Sequence, residues 1–244
     1  MFFTEEGVKE RLYKNYEFLS RKAPSLLEVM SKAQTIGIVV KEGKIDADLG
    51  GSLLYGGDAY GASLLQVENY VQKPMRIFPD VVRNKEGIDV KVIAHRFGLE
   101  LQERVGERIE PLPLSRTGYM PLLLMVGLGF GFHLEALLQR YEIQNLVIMD
   151  VPEFFRLSIY TLDWERFFDY FSKPGRRVSF LISEDLILEQ DMDKAFSELL
   201  RIAQQLNPGV FYWGYFYKHL DYNPPIRVAE WFDKSPLFAE LFQG

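Results

Sequence analysis

The chain has 244 residues, with 28 Lys and Arg against 34 Asp and Glu, for a formal charge of −6. Apolar residues make up 48% and charged residues 25%, which excludes a disordered chain, a collagen-like repeat and a disulfide framework. Cysteine is absent, so thiolate metal sites, Fe–S clusters and cysteine nucleophiles fall away, and the acidic balance argues against nucleic acid as a partner.

The N-terminus, Met1-Phe-Phe-Thr-Glu-Glu6, carries acids where a signal peptide carries bases, so a cytoplasmic location is expected. Residues 4–32 read as helix, because Val8, Leu12, Tyr16 and Leu19 recur at helical spacing; Pro24-Ser25 interrupts them and starts a second helix. Ile36–Val40 and the alternating Ile45-Asp-Ala-Asp-Leu49 are joined by a glycine-containing turn, the pattern of a hairpin. Gly50-Gly51 then leads to Ser52-Leu-Leu-Tyr55, which makes residues 36–55 a small antiparallel meander. A helix over Ala59–Gln72 follows, closed by Pro74. Arg76-Ile-Phe78 and Val90–Ala94 read as short strands and residues 98–112 as a charged helix. Pro111-Leu-Pro-Leu-Ser-Arg-Thr-Gly118 is the best domain boundary, with two prolines and a glycine in eight residues.

Beyond it the pattern changes. Met120–Phe132 is the longest apolar run, too short and too rich in glycine for a membrane span of roughly 20 apolar residues. Within it Leu122–Val126 reads as a buried strand, Gly127–Gly131 as a glycine loop and His133–Tyr141 as a helix. Asn145–Met149 is a second buried strand, Pro152–Phe171 a helix and Arg177–Ile182 a third strand. A helix over residues 193–206 and a strand Val210–Trp213 complete the series. Alternating helices and fully apolar strands predict an α/β fold with a Rossmann-like, doubly wound, mostly parallel sheet. It is preceded by the small α+β subdomain. The predicted domains are 1–110 and 119–244.

Gly127-Leu-Gly-Phe-Gly131 lies where a Rossmann-like fold binds a nucleotide, with the amides of the following helix turned toward an anion. The spacing is G-x-G-x-G and not the dinucleotide G-x-G-x-x-G, so NAD and FAD lose support. Asp150 ends the next strand, where a carboxylate typically accepts ribose hydroxyls. Ser183-Glu-Asp185 ends the third, near the adenine position of a methyltransferase-type site. The candidate ligand-binding residues are therefore Gly127, Gly129, Gly131, His133, Asp150, Glu153 and Asp185. Against them stands a plainer reading, in which the glycines serve packing, His133 caps or packs, and the acids are surface groups. No catalytic residue is assigned. His95, His133 and His219 have no metal spacing, and neither a nucleophile elbow nor a P-loop is present. The run Phe211–Tyr217 reads as a buried strand of alternating rings, with Lys218, His219 and Tyr222-Asn-Pro-Pro225 at its ligand-facing end. The C-terminal pairs Trp231-Phe232, Leu237-Phe238 and Leu241-Phe242 are apolar enough to dock on a neighbouring domain.

Val126-Gly-Leu-Gly-Phe-Gly-Phe-His-Leu-Glu135, with Val147-Ile-Met-Asp150 and Glu153-Phe-Phe155, resembles the N-terminal region of the Maf (motility-associated factor) proteins. Leu53-Leu-Tyr55, Asp58, Gln66-Val-Glu68 and Pro74-Met-Arg76 are similar to that family's meander and helix, and the resemblance spans most of residues 35–240. It implies bacterial flagellin glycosyltransferases, which transfer nonulosonic acids onto Ser or Thr of flagellin. The family's central domain opens with a strand and a Gly-Pro-Ser-Leu motif, which this chain lacks; Ala23-Pro24-Ser25-Leu26 follows a helix instead. The chain stops at Leu241-Phe-Gln-Gly244, about where that domain would begin, and so resembles the N-terminal domain alone. The resemblance implies an accessory domain that binds a nucleotide, a nucleotide-sugar such as CMP-nonulosonic acid, or flagellin itself. Flagellin, a downstream catalytic domain and a second copy of the chain are the candidate partners. The alternatives are an S-adenosylmethionine-dependent methyltransferase and a structural module that binds nothing. For the former, Met125 and Val126 stand where an acid often precedes the first glycine.

Overall fold

The computed structural model describes residues 1–77, 114–183 and 211–215, with backbone only for 75–77 and 211–215. Helix α1 (Glu5–Lys22) starts at Thr4, whose hydroxyl accepts the Gly7 amide at 3.0 Å. Glu5 and Glu6 sit in its first turn and Arg21 and Lys22 in its last, matching the helix dipole. Pro24 occupies the first position of α2 (Pro24–Lys32), where its missing N–H costs nothing. Strands β1 (Gly37–Lys41) and β2 (Lys44–Asp48) form an antiparallel hairpin. Its two-residue turn holds Glu42 and Gly43 at φ of 53° and 76°. The meander predicted over 36–55 stops there: its third run makes only an isolated bridge, Asp48 to Leu53. Gly50-Gly51 interrupts that stretch at positive φ, and Gly56-Gly57 follows it directly.

Helix α3 (Ala59–Gln72) is capped by Asp58, which accepts the Gly61 amide at 2.8 Å. Strand β3 (Met75–Ile77) leaves the N-terminal half and joins the large sheet. After the single turn α4 (Leu114–Thr117) come β4 (Tyr119–Val126), α5 (Phe132–Arg140) and β5 (Glu142–Asp150). The helix predicted over 152–171 is broken into α6 (Pro152–Leu157), a 3-10 turn (Ser158–Tyr160) and α7 (Trp164–Phe171). Asp163 causes the restart, because its side chain accepts the Arg166 amide at 3.0 Å and caps α7. Strands β6 (Arg177–Ile182) and β7 (Phe211–Tyr215) close the described chain.

The large sheet has the order β3-β7-β4-β5-β6. β7, β4, β5 and β6 run parallel, and β3 pairs antiparallel with β7 at one end. Leu122, Leu123, Leu124 and Met125 in β4 are fully buried, as expected of a parallel strand covered on both faces. The core around them takes in Leu19 of α1, Met30 of α2, Val67 of α3, and Phe155 and Trp164. A second apolar cluster joins Ile45 and Ala47 of β2 to Phe130, Phe132 and Phe154. No described helix is long and apolar enough to cross a membrane. The predicted strand Val90–Ala94 and the helices over 98–112 and 193–206 lie outside the described residues.

Candidate functional site

The glycine loop between β4 and α5 is held by its own backbone. The Gly127 amide donates to the Met149 carbonyl at 2.8 Å, which carries the β4–β5 ladder one residue further, and the Gly131 amide donates to Leu128 at 2.8 Å. Gly129 and Gly131 lie at φ of 52° and 83°, where a side chain is disfavoured. Each is also short of room. A Cβ on Gly129 would stand 2.6 Å from the Tyr55 hydroxyl, and one on Gly131 would stand 3.1 Å from the Cβ of Leu162.

Asp150 ends β5, as the sequence indicates, but its side chain turns into the loop. Oδ2 accepts the Leu128 amide at 2.8 Å and the Gly129 amide at 3.4 Å, and Oδ1 accepts the Val151 amide at 2.7 Å. The residue is 1% exposed. Burial pushes its carboxyl up to about 8, with the three amides pulling the other way and the nearby Glu153 charge adding to the rise. The Leu128 and Gly129 amides of the loop are thus directed at a carboxyl of the chain itself.

His133 lies in the first turn of α5 and faces helix α3, where its Nε2 is 2.6 Å from Gln66 Oε1. An amide oxygen only accepts, so Nε2 carries the proton. Burial holds the ring down at about 3, so it is neutral at physiological pH. Glu153 is half-buried in the first turn of α6. Gly127, Gly129, Gly131 and Asp150 therefore come together, whereas His133 serves the α3–α5 contact. Asp185 lies outside the described residues, as do Lys218, His219, residues 222–225 and the C-terminal aromatic pairs.

Two residues that sequence reasoning did not single out complete the site. Asp46 on β2 is 1% exposed and accepts the amides of Ala47 at 2.7 Å, Tyr55 at 2.9 Å and Gly57 at 2.5 Å. It fixes the chain that carries Tyr55 over Gly129. Burial, together with the charges of Asp150 and Asp46, raises the Tyr55 hydroxyl well above its ordinary value, so it stays protonated. The Tyr55 ring borders an aromatic group through Phe130. Tyr55 meets Phe130 at 6.0 Å between centroids, Phe130 stacks on Phe132 at 5.8 Å, and Tyr60 and Phe3 contact Phe132 at 5.3 and 5.4 Å. The signal for Asp46 was its place among buried neighbours, Ile45 and Ala47, which an alternating pattern disguises.

Among the described residues, no three His, Asp or Glu side chains converge in a way that could hold a metal ion. Neither a curated protein nor a solved structure matches the chain. The model of one protein family, the glycosyltransferase Maf N-terminal domain, matches residues 11–230, and the chain belongs to that family.

Proposed function

We propose that this chain is an accessory domain of a bacterial flagellin-glycosylating system, one that recognises the flagellin acceptor and does not itself transfer sugar. Family membership supports the flagellin-glycosylation setting, and the engagement of Asp150 is the observation that supports the absence of transfer. Glycosyl transfer from a nucleotide-sugar needs a base at the acceptor hydroxyl and groups to stabilise the leaving phosphate. Of the two candidate acids among the described residues, Asp150 has both oxygens on backbone amides beneath the surface, and Glu153 stands half-buried in the first turn of α6. Asp150 Oδ2 also engages the Leu128 and Gly129 amides of the glycine loop. A methyltransferase reading loses the same carboxylate, which would have to meet the ribose of S-adenosylmethionine.

The strand order supports a Rossmann-like unit. Read as β6-β5-β4-β7, it is the 3-2-1-4 arrangement of that fold, with the glycine loop after the first strand. We take residues 119–244 as this unit and 1–110 as a cap that also lends one edge strand, β3, to its sheet. Asn15 of α1 and the Arg156 guanidinium, which donates to the Ala33 carbonyl at 3.1 Å, tie the two together. A cytoplasmic setting belongs to the same reading.

The test uses the purified 244-residue protein with flagellin and CMP-activated nonulosonic acid. Flagellin binding by interferometry, with no sugar-sized increment in intact mass, is the expected result. An increment that disappears in Asp150→Asn would place the transferase centre in this domain and overturn the proposal. Lack of flagellin binding would remove the recognition role. Titration heat from S-adenosylmethionine alone, and from neither CMP nor its sugar conjugate, would favour methyl transfer.

A further inference from the structure

We propose that residues 49–57 form a strap that opens as a unit over the glycine loop, with Tyr55 as its latch and Asp46 as its anchor. The inference stands apart from flagellin recognition, because it concerns only how the loop is covered.

Among the described residues, the strap is held by hydrogen bonds to β2 and by the packing of Leu54 and Tyr55. Within it only Leu54 and Tyr55 are buried, and the rest is exposed or nearly so. Gly50, Gly51, Gly56 and Gly57 flank those two residues, all at positive φ, and a Cβ at any of them would meet nothing within 4 Å. These glycines give the backbone pivots on either side of the Leu54-Tyr55 pair, whose side chains leave the cluster of Ile45 and Phe130 when the strap lifts. Among the described residues, its hydrogen bonds to β2 are those of Asp46 to the Tyr55 and Gly57 amides, of the Leu54 amide to the Ala47 carbonyl at 2.8 Å, and of the Gly51 amide to the Asp48 carboxylate at 2.6 Å. Every acceptor in that set belongs to β2, which stays paired with β1 when the strap lifts. Both ends are fixed as well, by β2 on one side and by the Asp58 cap of α3 on the other, with Lys44 3.0 Å from Asp58.

Opening has a defined consequence. It withdraws the Tyr55 hydroxyl from above Gly129 and uncovers the Leu128 and Gly129 amides together with the Asp150 carboxyl that holds them. The buried strands β4 and β5 need not move, since no strap residue takes part in their pairing.

Amide hydrogen exchange followed by NMR tests this on the whole chain. The Tyr55, Gly57, Leu128 and Gly129 amides are expected to share one opening rate, at least about tenfold faster than those of Met125 and Ile148 at the centre of the sheet. Tyr55→Ala is expected to accelerate Leu128 and Gly129 by a further factor of about ten while Ile148 stays unchanged. Exchange of the strap amides only in step with Met125 and Ile148 would overturn the proposal. So would a strap that opens while Leu128 and Gly129 exchange no faster than the sheet, because Tyr55 would then latch nothing. If Tyr55→Ala does not fold, the wild-type rates decide alone.

Discussion

The side-chain amide of Asn15 donates to the carbonyl of Leu162 at 2.8 Å, joining residues 147 apart in the chain. It also donates to Ile159 at 2.7 Å, and its oxygen accepts the Trp164 amide at 3.4 Å. These are backbone groups that the break between the 3-10 turn and α7 leaves without helical partners. One side chain, 2% exposed, satisfies all three and fastens α1 to the segment after β5. Asn15→Ala orphans them, and a loss of about 2–3 kcal/mol is expected in urea unfolding. Asn15→Asp should cost more, because its oxygens would face two carbonyl oxygens with no hydrogen to offer. Equal costs for the two variants would show that the carbonyls find water instead.

Gly129→Ala meets two obstacles, a left-handed backbone and the Tyr55 hydroxyl 2.6 Å from the new Cβ. The first costs about 1–2 kcal/mol wherever it occurs. The second is removable, since Tyr55→Phe deletes the oxygen and leaves ring carbon Cζ at an ordinary 3.9 Å. A double-mutant cycle should therefore show Gly129→Ala to be at least about 1 kcal/mol less damaging in the Tyr55→Phe background. Gly131→Ala is the control. Its Cβ meets Leu162, and Tyr55→Phe should bring it no relief. Matching costs for Gly129→Ala in both backgrounds would mean that the ring already moves aside.

The Tyr170 hydroxyl binds one residue twice, accepting the Ile143 amide at 2.9 Å and donating to its carbonyl at 3.1 Å. This pins α7 against the start of β5. Tyr170→Phe should cost about 1–2 kcal/mol, since both Ile143 groups lose a partner. Arg176 stacks on the same ring at 4.0 Å and pairs with Glu142 at 3.1 Å, toward solvent. Arg176→Ala is expected to cost less than about 1 kcal/mol. A reversal of that order in thermal unfolding would put the weight on the ion pair.

What was legible in the sequence follows from the physics of each element. Parallel strands covered on both faces must be apolar along their length, so β4 and β5 could be read directly, and β6 kept the predicted limits of Arg177 and Ile182. The α6–α7 break was hidden because aromatic residues keep helical spacing across it, although Asp163 ahead of Trp164-Glu-Arg166 carries an N-cap signature. At Asp150 the position was legible and the direction of the side chain was not. A carboxylate at a strand end can face a ligand or fold back onto its own loop, and only packed neighbours decide which. Tyr55 left no local trace, because its role depends on a loop more than seventy residues away.

Asp150 and His133 also predict how stability responds to pH. Burial raises Asp150 from 3.8 to about 8 in the folded protein. Its contribution is therefore fully present below the unfolded value and is lost as pH rises through 8. Burial lowers His133 from 6.5 to about 3, so its contribution is present above 6.5 and is lost as pH falls toward 3. Between 3.8 and 6.5 the two slopes oppose each other, and between 6.5 and 8 Asp150 acts alone. Urea midpoints of the wild type should consequently fall across that upper window. Asp150→Asn removes the fall and unmasks His133, so the variant should gain stability up to about pH 6.5 and then level off. Carboxylates common to both proteins, such as Asp58, cancel in the difference between them. If that difference instead grows in favour of the wild type as pH rises from about 4 to 8, the three amides outweigh burial and Asp150 holds the glycine loop as an anion.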